Sequence, residues 1–124
     1  MVYGCAPFVP EVEQGTAPIL GHDLGCANVL DISYTAWGSF CRRTGLTTMF
    51  FDKSGGLFRP HTRIARIDPA HVVELRSAIA RYMAKYPKAK PAHDRHYALA
   101  LMHWLLFWFE WAIAHCQVPA IENA

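Results

Sequence analysis

Apolar residues recur every three or four positions in three stretches of the chain, and each stretch predicts one amphipathic helix. Leu30, Tyr34, Trp37 and Cys41 make the first stripe, widened by Phe40. Asp31 or Ser33 can cap its start, Arg42 and Arg43 suit its last turn, and Gly45 is a natural stop. The predicted helix runs from about Ile32 to Thr44. The second stripe is Val72, Leu75, Ile79, Tyr82 and Tyr86, flanked by Met83. Asp68-Pro69 opens it with a capping side chain and a proline at the first helical position, and Pro87 ends it.

The third stretch, from a possible cap at Asp94 to about Cys116, is apolar around most of its circumference. Leu99, Leu101, Met102, Trp104, Leu105, Leu106, Trp108, Phe109, Trp111 and Ile113 leave it only one polar stripe. His96, His103, Glu110 and Gln117 recur every seven residues along that stripe. Such a helix is expected at the centre of the domain or at an interface. Between the first two helices the pattern changes. Thr47-Thr48-Met49-Phe50-Phe51 is β-branched and aromatic, Asp52-Lys53-Ser54-Gly55-Gly56 is turn chemistry, and Leu57-Phe58-Arg59 returns. This reads as a β-hairpin, with Arg63–Ile67 as a candidate third strand.

Residues 1–27 carry Gly4, Pro7, Pro10, Gly15, Pro18, Gly21 and Gly25, which interrupt regular structure. They also carry enough apolar residues to suggest an ordered irregular arm with one short edge strand near Phe8–Val12. The predicted fold class is therefore α+β: about three helices packed with a small antiparallel β-hairpin and an irregular N-terminal arm. The 124 residues suit a single globular domain. Within it, 28–45 is the first helix region, 46–67 the hairpin region, 68–86 the second helix and 94–117 the aromatic core helix.

Composition narrows the choice of function. The chain is 52% hydrophobic, 13% aromatic and 18% charged. That low charge favours burial of some surface against a larger protein partner or a second copy. The net charge of +2 argues against a dedicated nucleic-acid binder. Cys5, Cys26, Cys41 and Cys116 are scattered without a CxxC pair, and Met1–Cys5 does not resemble a secretory signal. Free thiols in the cytoplasm are the expectation. Tyr97 to Cys116 is long enough to span a bilayer, but His103 and Glu110 lie in it. Insertion scales place such polar groups about 2.5–3.5 kcal/mol uphill at the bilayer centre. No membrane insertion is expected.

Seven histidines invite a metal site, and the best candidate ligands are His22, Asp23, Cys26 and His61. Their spacing matches no zinc signature. His103 and Glu110, about 10.5 Å apart along a helix axis, cannot share one ion. A Cys/His nucleophilic pair can be drawn on paper from any such composition. Arg59, His61, Arg63 and Arg66 with Phe58 form the best patch for nucleic acid. No cofactor is implied by any motif. The leading expectation is a small non-enzymatic interaction module of the inhibitor, immunity or adaptor kind. It would act on a surface of a larger bacterial protein, and a phage or mobile-element origin goes with it. Phe58, Arg59, Arg63, Arg66, Trp108 and Trp111 are the contact candidates, because aromatics and arginine are enriched at interfaces. A small metal-dependent or Cys/His enzyme is the alternative, and a weak nucleic-acid binder the second.

Overall fold

Ser33 begins the first helix: its Oγ accepts a hydrogen bond from the Ala36 amide at 3.1 Å. In the computed structural model this helix, α1, is Tyr34–Thr44. It ends where the pattern predicts, at Gly45, whose φ of 75° is left-handed. The residues described by the structure are 2–5, 32–53, 55–58, 64–90, 96–115 and 119–122.

The hairpin expected from Thr47 to Arg59 is not formed over its described residues. Thr47–Phe51 is a short helix, α2. Phe50 N donates to the Leu46 carbonyl at 3.2 Å and Asp52 N to Thr48 at the same distance. Burial overrides the β-propensity of this stretch: one helical turn buries Met49 and Phe50 alongside Leu46. The turn itself was read correctly, since Gly56 N donates to the Asp52 carbonyl at 2.8 Å. The chain then doubles back. Leu57 N and Phe58 N donate to the Met49 and Phe50 carbonyls at 3.0 and 2.6 Å, so the return segment satisfies a helix end instead of a strand.

The candidate third strand is present as β2, Ile64–Arg66. Asp68 then caps α3, Pro69–Lys85. Asp68 Oδ1 accepts from Ala70 N at 2.9 Å, and His71 Nδ1 accepts from Asp68 N at 3.0 Å, which closes a reciprocal cap. The aromatic helix is α4, Tyr97–His115; the expected cap at Asp94 lies outside the described residues. Two strands escaped the sequence reading. Val2–Cys5 forms β1 inside the segment expected to be an irregular arm, and Pro119–Glu122 forms β3. The edge strand expected near Phe8–Val12 lies outside the described residues.

The sheet has the order β1-β3-β2 and both pairings are antiparallel. Tyr3 and Ala65 flank Ile121 in register, so the strand late in the chain joins one from the beginning to one from the middle. Contacts from α4 reach α3, α1, β1 and β3. This explains its composition. Leu99, Leu101, Met102, Leu105, Trp108 and Phe109 are fully buried because structure packs on more than one side of them. By length and composition α4 could cross a membrane; in this fold it is the core helix. A second aromatic knot joins α1 to α2 and the return segment. Trp37 lies 4.9 Å from the rings of both Phe40 and Phe50, and Phe58 closes the group at 5.0 Å from Phe50.

Candidate functional site

The packing of α1 determines which of its residues remain for a ligand. Trp37, Phe40, Cys41 and Thr44 are buried. The flank beside them carries Tyr34, Thr35, Gly38 and Arg42, the last three spaced one, four and eight residues from Tyr34. Together with Thr47 and Phe51 of α2 these residues line a groove of about 470 Å³. Tyr34 is 64% exposed, and its ring lies tilted 6.2 Å from that of Phe51. Gly38 shapes the groove by lacking a side chain: an added Cβ would meet only the Arg42 guanidinium, at 3.4 Å. Arg42 is the one charged lining residue among the described residues.

A smaller notch of about 160 Å³ lies where the end of α1 meets α3. Arg43, Thr44, Gly45, Arg81, Tyr82 and Lys85 line it. Arg81 Nη2 donates to the Thr44 carbonyl at 3.4 Å. At its edge the Tyr82 hydroxyl is hydrogen-bonded to His96 Nδ1 at 2.8 Å. Burial, partly offset by Arg43, raises the Tyr82 pKa and keeps the phenol neutral.

The predicted contact residues are divided by the fold. Phe58 is only 4% exposed and Trp108 is fully buried, so neither presents a surface to a partner. This corrects the sequence expectation, and the reason is packing: Phe58 belongs to the α1–α2 aromatic knot and Trp108 to the centre of α4. Trp111 is half-buried, with its ring stacked on His115 at 4.7 Å. Arg66 is exposed on the edge strand β2. Arg59 and Arg63 lie outside the described residues, as do the candidate metal ligands His22, Asp23, Cys26 and His61. Among the described residues, no group of three or more His, Cys, Asp or Glu side chains could hold a metal ion.

The polar stripe of α4 is largely an edge contact with α3. His96 meets Tyr82, and Glu110 accepts from Arg76 Nη2 at 2.5 Å. The Arg76–Glu110 pair is well exposed, so it contributes at most about 1 kcal/mol. His103, between them, is half-buried, and desolvation lowers its pKa. Cys41 is a buried free thiol whose pKa burial pushes up to about 12. A thiol held neutral in this way is a poor nucleophile.

Sequence reasoning missed the groove because Tyr34 was assigned to the buried stripe of α1. Its neighbours held the clue. Thr35, Gly38, Ser39 and Arg42 are the small and polar residues outside the stripe of Trp37 and Cys41. Comparison of the chain with protein families, curated proteins and solved structures finds no match.

Proposed function

We propose that this protein is a non-enzymatic interaction module that occupies the surface of a larger protein through the α1–α2 groove. The observation that carries the reading is the lining itself: an exposed Tyr34 beside Phe51, a gap over Gly38, and the cation of Arg42. Tyrosine and arginine next to a depression are what binding hot spots are made of. The charge selects the occupant. With Arg42 the only charged lining residue among the described residues, the complementary segment carries an aromatic or aliphatic side chain beside a carboxylate. The role is of the inhibitor or adaptor kind, and the buried free thiol of Cys41 suits the reducing cytoplasm.

Gly38 makes the reading testable, because Gly38→Leu fills the groove and raises helix propensity in α1. Wild-type protein should capture a stoichiometric protein partner from its native host, with crosslinks mapping to α1. Gly38→Leu and Arg42→Glu should each weaken that capture about tenfold or more at unchanged melting temperature. Undiminished capture by both variants would overturn the proposal.

A further inference from the structure

We propose that the notch between the end of α1 and the C-terminal half of α3 is a binding site for a doubly charged phosphoryl group. This proposal is independent of the groove reading, since it uses a different face of α1. Three cationic side chains from two helices line the notch, and among the described residues no carboxylate does. Among the described residues, neither Arg43 nor Arg81 nor Lys85 is ion-paired with an acid: Glu110 is engaged by Arg76, and Asp68 caps its own helix.

The simplest opposing explanation is that these cations only neutralise helix ends. The magnitudes decide against it. The C-termini of α1 and α3 both reach the notch, through Thr44 and Lys85. Each carries about half a negative elementary charge. Three cations against roughly one negative charge leave about two positive charges unmatched. A phosphomonoester carries about −1.5 to −2 at neutral pH. A phosphodiester carries one negative charge and matches less well.

Size and donor geometry agree. At about 30 Å³ per water, the notch has room for roughly five waters, enough for one tetrahedral oxyanion and part of what it is attached to. Arg43 and Arg81 supply planar, forked donors suited to two oxygens at once, and Lys85 adds a point charge. Gly45 makes the approach possible. A Cβ there would meet Arg81 Nη2 at 3.1 Å, so the absence of a side chain lets the guanidinium lie against the helix end.

The test is a titration of the isotopically labelled full chain with inorganic phosphate at constant ionic strength, followed by NMR. Saturable shifts are expected at the Gly45 amide and at the guanidinium signals of Arg43 and Arg81. Arg81→Ala and Lys85→Gln should each weaken binding about tenfold, the factor that corresponds to about 1.4 kcal/mol for one charge-assisted contact. Arg76→Ala, on the same helix but away from the notch, should leave binding unchanged. Dimethyl phosphate should bind more weakly than phosphate. O-phosphoserine distinguishes the source: tighter binding than phosphate identifies a monoester as the ligand, and equal or weaker binding identifies free phosphate. Unsaturable shifts, equal affinity in both notch variants with their spectra still folded, or equal binding of the diester would overturn the proposal.

Discussion

At the scale of single residues, His103 couples the fold to pH. Desolvation on α4 holds its pKa below the ordinary value of 6.5, so the folded state keeps the ring neutral where the unfolded chain would protonate it. Above that value neither state binds the proton and His103 makes no difference. As pH falls through about 6.5 the unfolded state gains the proton first, and stability declines until the folded pKa is passed. His103→Gln should therefore flatten the loss of stability on mild acidification, as measured by urea midpoints from pH 7.5 down to pH 5. Parallel midpoint curves for the two proteins would show that His103 is not the group responsible. Residues of this kind were only half legible. The caps at Ser33 and Asp68 and the stop at Gly45 are local chemistry, and the sequence is enough to find them. The burial of Phe58 and Trp108 depends on what surrounds them, which local pattern does not encode.

Among the elements, the three long helices follow from periodicity and α2 does not. Five residues are too few to separate a helical from an extended pattern. Thr47 to Phe51 satisfies the strand rule by composition while its burial obeys the helix rule. The turn that follows is more constrained than its residue types suggest. A Cβ on Gly56 would lie 2.5 Å from Asp52 N and 2.7 Å from the Phe50 carbonyl oxygen, both of them backbone atoms that cannot swing aside. Gly56→Ala should destabilise the protein by about 1–3 kcal/mol, as overpacking does in a rigid setting. Gly55, with open space around its Cβ position, should accept alanine with little change. Thermal melts of the two variants side by side give the comparison, and equal melting points would mean that the loop is looser than its backbone contacts imply.

For the whole molecule, the decisive strand is β3. The α+β class follows from the hydrophobic pattern, but the sheet that completes it does not. Pro119 reads as a helix stop, and Pro119–Glu122 is too short to announce a strand. Pro119 is tolerated because it opens the strand, and its carbonyl accepts from Ile67 N at 2.9 Å. Ile121 is fully buried between β1 and β2 in register, so it ties the sheet to the helical core. Ile121→Ala should cost about 2–5 kcal/mol. The loss should appear as one cooperative transition, coincident in far-ultraviolet circular dichroism and tryptophan fluorescence. Separate transitions for the two signals would mean that the sheet melts independently of the helices.

The central place of β3 also constrains how the chain is made. A ribosome delivers β1 before any other element described here, yet the strand it pairs with emerges after α4. Throughout that interval β1 is outside the exit tunnel without the strand that completes its hydrogen bonding, because β3 emerges directly behind α4. Folding of this layer is thus tied to the late stage of translation. A codon-induced pause before α4 should lengthen the time for which nascent β1 is open to chaperones, and substituting its pairing positions should change chaperone capture at that pause; unchanged capture would mean that β1 is covered before β3 arrives.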